Sequence, residues 1–115
     1  MDNWEKRPLE WEETGDLNYF LREMNRSNAC KKMYHAHIFI YNVDNEEQLI
    51  LQWKDINSRV AVYIQSEVES LIERSNFYIC FFVKQEISSK IQNEIEDDTF
   101  CAKKYIFVIK NDVRR

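Results

Sequence analysis

Two histidines, three cysteines and several paired acids are the residues of this chain whose types and spacing could do chemistry. His35 and His37 are one residue apart in a stretch of strand-like composition, so alternation points both imidazoles to one face. Two imidazoles there could share a metal ion, with Cys30 or Asp44 as a third ligand. No CxxC or HExxH spacing accompanies them, so we read them as two histidines on a half-exposed strand face. A cysteine nucleophile needs a nearby base and a depressed pKa. Cys80 lies inside an apolar run and reads as a small core residue, while Cys101 sits by Lys103 and Lys104. The carboxylates at Glu46-Glu47, Glu94/Glu96 and Asp97-Asp98 are sequence neighbours at helix ends, where capping and solvation explain them. A metal-dependent hydrolase gathers acids from several elements into one cleft instead. We therefore expect no catalytic residue, metal or cofactor.

Composition narrows the field further. The 115 residues fit one domain, and 44% hydrophobic with 31% charged residues is ordinary globular composition. One Gly and one Pro exclude Gly-loop nucleotide binding and loop-rich designs. Aromatic residues make up 14%, a surplus that would suit contact with a partner. The net charge of −4 argues against a freestanding nucleic-acid binder. Five acids between 86 and 98 are followed by Lys103, Lys104, Lys110, Arg114 and Arg115, a basic tail behind an acidic turn. No apolar stretch is long enough to cross a bilayer, and the first residues hold no secretory h-region. An odd, widely spaced set of cysteines reads as reduced thiols, so a cytoplasmic location is expected.

Stepping along the chain gives the elements that position these residues. Residues 1–15 lack periodicity and place Trp4 and Trp11 among acids, the pattern of an extended arm. Asp16 can cap a short helix carrying Leu17, Phe20, Leu21 and Met24. Residues 33–43 read as a strand. Asp44 with Glu47 has capping-box spacing, and from Glu46 to about Glu73 an apolar stripe recurs at helical intervals. Residues 76–83 read as a central strand buried on both faces, 86–96 as a helix with Ile87, Ile91 and Ile95, and 104–110 as a last strand. The fold class is α/β: a small three-stranded β-α-β-α-β sheet with parallel right-handed crossovers, a long amphipathic helix and an N-terminal helix or arm. The core unit is 44–110. A helix approaching 40 Å outruns strands of about 20 Å, so part of its stripe needs another cover. Trp53, Val60, Ile64, Val68 and Leu71, with Trp4 and Trp11, are the partner-binding candidates.

The segment Asn76-Phe-Tyr-Ile-Cys-Phe-Phe82, followed by Ile95-Glu-Asp-Asp-Thr-Phe-Cys-Ala-Lys-Lys104, carries a resemblance. It resembles the middle component of bacterial ABC-three-component systems, the group that includes Lamassu-type anti-phage defence. The matching residues are Asn76, Ile95, Glu96, Asp98, Thr99, Phe100 and the basic pair Lys103-Lys104. Ser75 stands where the family often has Trp, and the basic pair is Lys-Lys where the family has Arg followed by Arg or Lys. The resemblance implies a non-enzymatic adaptor that holds an SMC-like ABC ATPase to an effector, often a nuclease. Contact with DNA would be indirect, through those partners, and no membrane is involved. The alternative is a small metal-dependent nuclease or nucleic-acid-acting toxin built on His35 and His37.

Overall fold

The computed structural model describes residues 4–7, 17–25, 33–68 and 71–109. Five strands form one sheet in chain order: β1 (Glu5–Arg7), β2 (Leu17–Asn25), β3 (Met33–Val43), β4 (Phe77–Val83) and β5 (Lys103–Val108). β1, β2 and β3 pair antiparallel, whereas β3, β4 and β5 pair parallel. The helix α1 (Glu46–Glu67) and the single turn α2 (Leu71–Arg74) cross from β3 to β4, and α3 (Ser89–Glu96) crosses from β4 to β5. Each crossover adds the next strand on the same side, so the right-handed rule puts the helices on one face.

Burial agrees with that reading. Leu17, Tyr19 and Leu21 of β2, Phe39, Tyr41 and Val43 of β3, and Phe77, Ile79, Phe81 and Val83 of β4 share one core. Leu49, Trp53, Ile56, Val60 and Ile64 of α1 close it from above, with Ile95 of α3. β4 therefore alternates buried and half-buried residues; it is not buried on both faces. Its second face, with Tyr78, Cys80 and Phe82, receives none of the described helices.

The sheet has two more strands than the sequence suggests. Residues 17–25 were open to a helical reading because Leu17, Phe20, Leu21 and Met24 fit helical spacing. Leu17, Tyr19 and Leu21 also alternate, and nine paired positions against β3 decide the matter for a strand. The segment read as an arm supplies β1, a three-residue edge whose Glu5, Lys6 and Arg7 are exposed charges. Short charged edges resist pairing with other chains. Trp4 is half-buried, and Trp11 lies outside the described residues.

The long helix is shorter than its stripe suggests. Asn45, not Asp44, is its N-cap, accepting from Gln48 N–H at 2.9 Å. Gln48 Oε1 accepts from Asp44 N–H at 2.8 Å, so the side chain three residues after the cap reaches back as in a capping box but closes on the residue before the cap. At the other end Val68 is extended, which separates α1 from α2. Twenty-two residues span about 33 Å, and the eleven residues of β3 span about 36 Å. The helix thus has a strand of its own length to lie on. Trp53, Val60, Ile64 and Val68 are covered by this chain's own sheet, and the side chain of Leu71 is outside the described residues.

Truncating the buried Leu49 to Ala should cost about 2 to 5 kcal/mol of stability. Val62→Ala, on the outward side of the same helix at 64% exposure, should stay within about 0.5 kcal/mol. Urea unfolding followed by circular dichroism measures both. Equal effects at the two positions would mean that the helix lies on the sheet by another face.

Candidate functional site

The residues that carry the resemblance converge on a loop between α3 and β5, and one lysine organises it. Lys104 points from β5 to the helical side, where its side chain is fully buried. Its ammonium donates to the carbonyls of Asp98 at 3.1 Å, Phe100 at 3.0 Å and Ala102 at 2.7 Å. It also pairs with Asp98 Oδ1 at 2.9 Å. Three donors thus meet four acceptors, and the buried charge has both a counter-ion and dipoles around it.

The rest of the loop is tied to that centre. Asp98 Oδ1 accepts from Phe100 N–H at 2.9 Å and from Asn57 Nδ2 at 3.5 Å. Burial would raise the Asp98 carboxyl, but the bonds from Lys104 and Phe100 outweigh it and hold it below the usual carboxylate range. Cys101 takes a left-handed backbone, φ 62°, which a side chain makes costly by about 1 to 2 kcal/mol. Its thiol donates to Asn57 Oδ1 at 3.1 Å, so the strained residue is held from α1 as well. Thr99 and Phe100 are left outside, Phe100 at 59% exposure. The basic position asks for a point charge at the centre of a carbonyl ring. Lys supplies that without the fork of Arg, so its presence at 104 is no loss here.

Other motif residues hold the frame. Ile95 is fully buried in the core. Glu96 Oε2 accepts from Ile106 N–H at 2.9 Å, on the edge strand. Asn76 accepts from His37 N–H at 2.9 Å and donates to the Glu73 carbonyl at 3.0 Å, joining β4 to α2 and β3. Lys103 is exposed, 5.6 Å from the Tyr78 ring on the other face of the sheet.

His35 and His37 do lie on one face, and a carboxylate meets them there. Glu73 of α2 accepts from His37 Nε2 at 2.9 Å and from His35 N–H at 3.1 Å. His37 Nδ1 is 2.6 Å from Tyr19 Oη, which is 3.1 Å from Tyr63 Oη. Burial lowers the His37 pKa in spite of Glu73, so the ring is neutral near pH 7. Burial would raise Glu73, but the bonds from His37 and His35 hold it below its ordinary value, as a carboxylate. One consistent assignment follows: Nε2–H donates to Glu73, Tyr19 donates to Nδ1, and Tyr63 donates to Tyr19. Both His37 nitrogens are then occupied within the chain, and the ring stacks on Phe77 with centroids 4.1 Å apart. Burial pushes the Tyr19 hydroxyl strongly up, so it holds its proton.

The third metal ligand foreseen for the histidines is elsewhere. Asp44 is exposed and pairs with Lys84 at 3.2 Å, and Cys30 lies outside the described residues. Among the described residues, no group of three or more His, Cys, Asp or Glu is arranged to hold a metal. Burial pushes the thiols of Cys80 and Cys101 up to about 11, so both are protonated near neutrality.

Sequence reasoning missed Tyr19, Tyr63, Glu73 and Asn57. Asn57 left a signal, a polar residue on the buried stripe of α1. Glu73 left none, because nothing in its spacing points back across the fold to β3. Also missed was the open face of the sheet, where Phe20, Ile38, Ile40, Tyr78, Phe82 and Tyr105 stand in paired register.

Residues 36–115 match the family model described as ABC-three component (ABC-3C) system Middle Component 1. The match begins inside β3 and includes both polar clusters except Tyr19 and His35. No curated protein and no solved structure matches the chain.

Replacing Lys104 with Met leaves three carbonyls and Asp98 without their shared donor. The cost should be about 3 to 5 kcal/mol, with amide exchange at 98–102 speeding up at least as much as at β4. Native-state hydrogen exchange and urea unfolding read both effects. A second test uses pH. The folded state resists protonation of His37, which the unfolded chain accepts near pH 6.5, so stability should fall as pH drops through that value. Glu73, depressed in the fold, adds a further loss as pH falls through the carboxylate range. His37→Phe should flatten the slope between about pH 6.5 and 5; an unchanged slope would assign it to another group.

Proposed function

We infer the function of this chain from the family to which it belongs, the Middle Component 1 of ABC-three-component systems. It is a non-enzymatic adaptor of an anti-phage or anti-plasmid defence complex of Lamassu type. It holds an SMC-like ABC ATPase to an effector such as a nuclease, and it meets DNA only through those partners, in the cytoplasm. The family match carries this reading, because a middle component works with the two other components of its system.

The geometry supports it. Lys104 spends its charge on holding a loop, and that loop presents Thr99 and Phe100 outward instead of lining a cleft. His37 and Tyr19 are buried and occupied, which suits a structural tie between β2, β3 and α2 better than proton transfer to a substrate. Aromatic residues, Phe among them, are enriched in the cores of protein interfaces.

Co-expressed with the two other components of its system, the tagged chain should retain both through gel filtration at moderate salt. Omitting the chain should leave the other two to elute apart. An effector and an ATPase that assemble equally well without it, or nuclease activity in the isolated chain that is lost in His35→Ala/His37→Ala, would reverse the assignment.

A further inference from the structure

The sheet has a second face that the described part of the chain does not cover. It is built from Phe20 of β2, Ile38 and Ile40 of β3, Tyr78, Cys80 and Phe82 of β4, and Tyr105 and Phe107 of β5. Tyr105 and Phe107 are 42% and 48% exposed, and the residues of β3 and β4 are half-buried by their neighbours. All-parallel sheets are almost always covered on both faces, and by helices, and β3, β4 and β5 form the parallel part of this mixed sheet. Here α1, α2 and α3 are all spent on the other face. β4 nevertheless keeps an apolar sequence throughout, Phe-Tyr-Ile-Cys-Phe-Phe-Val, as a strand with two covers would.

Charge says what a cover of this face would be like. Pairing places Lys6 beside Phe20, Arg22 beside Ala36 and Lys103 beside Tyr78, all on this face. Every charged residue of the described strands on this face is a cation, in a chain whose net charge is −4. A second copy of the chain would bring these cations against their own kind. Single-stranded nucleic acid would want aromatic faces free for stacking. The middle of this face is aliphatic, and Phe82 and Phe107 are packed edge to face at 87° with centroids 5.4 Å apart.

Building on the adaptor reading above, we propose that this face is the seat of an amphipathic helix from a partner subunit, its apolar stripe flanked by acids. Its apolar residues cover Ile38, Ile40 and Cys80, and its flanking acids meet Lys6, Arg22 and Lys103. An apolar centre with a charged rim is the ordinary anatomy of a protein interface.

The test uses the complex of the three co-expressed components and five forms of this chain, the parent among them. Phe107→Glu and the pair Arg22→Glu/Lys103→Glu change the open face. Leu51→Glu changes the outward side of α1, at 76% exposure, and serves as the control. Circular dichroism melts establish that each form folds. In affinity measurements on the purified partner components, both open-face variants should bind at least tenfold more weakly, and Leu51→Glu as the parent does. The parent's affinity should fall with added salt more steeply than that of the charge-reversed pair. With Cys30 and Cys101 changed to Ser, alkylation of Cys80 should slow at least tenfold in the complex. Loss of binding in Leu51→Glu alone would move the seat to the helix and overturn the inference, leaving the adaptor reading intact. Self-association, or binding of a labelled oligonucleotide, that Phe107→Glu abolishes would overturn it in favour of those occupants. A parent chain that binds neither component defeats the adaptor reading itself, and the inference with it.

Discussion

Parallel strands cannot be joined by a tight turn, and this constraint shapes the molecule from β3 onward. β4 lies between two parallel neighbours, so the chain must leave the sheet and return twice. Both returns are right-handed and extend the sheet in the same direction, so both helical segments land on one face. The core is therefore one-sided. Phe39, Phe77, Ile79 and Phe81 meet Leu49, Val60 and Ile95 there, and the opposite residues of the same strands meet no described helix. The antiparallel β1 and β2 widen the sheet with no helix among the described residues, which gives the core breadth and lengthens the open face equally.

Two buried polar clusters sit at the places where this arrangement is weakest. A crossover ends when the chain re-enters the sheet, and each re-entry leaves backbone groups that no strand partner satisfies. At the return into β5, Lys104 collects three of those carbonyls and the Asp98 carboxylate around one ammonium. Toward the return into β4, Glu73 takes the His35 N–H and the His37 ring, and Asn76 takes the His37 N–H. Each cluster reaches a third element, α1 through Asn57 in the first and β2 through Tyr19 in the second. A charge sunk this deep adds little net stability when fully paired but costs several kcal/mol when a partner is removed. Each cluster therefore ties its connection to the sheet at little net gain in stability, and the loss of one partner is what would cost the fold. The positive φ of Cys101 is tolerated within the Lys104 cluster.

The elements that were legible in the sequence are those whose pattern is decided locally. The α1 stripe, the apolar β4 run and the Ile91–Ile95 spacing each state a period within a dozen residues, and β3-α-β4-α-β5 follows from them. Residues 17–25 are different, because Leu17, Tyr19, Phe20 and Leu21 satisfy both periods, and only pairing with β3 separates them. The end of α1 was illegible for a related reason. Its stripe continues past Glu67 in composition while the backbone at Val68 turns extended. Of the site, the histidine pair and the 95–104 segment could be picked out by residue type and resemblance. Their partners could not, since Glu73 and Asn57 lie 36 to 44 residues away in the chain.

The length of the helix was an argument for a partner surface, and the structure moves that argument to a different place. A stripe too long for three strands found its cover in an eleven-residue β3 and the added β2, so Trp53, Val60 and Ile64 became core. The surplus of aromatic residues did not disappear with it. Phe20, Tyr78, Phe82, Tyr105 and Phe107 stand on the face that the one-sided crossovers leave without a helix. The described helices all lie on one side of the mixed sheet, and the other side is nevertheless apolar with a cationic rim, the pattern of a surface that a second layer would cover. On the inference drawn above, the second layer comes from a partner, and the buried Lys104 and His37 networks hold the connections of the helical layer without it.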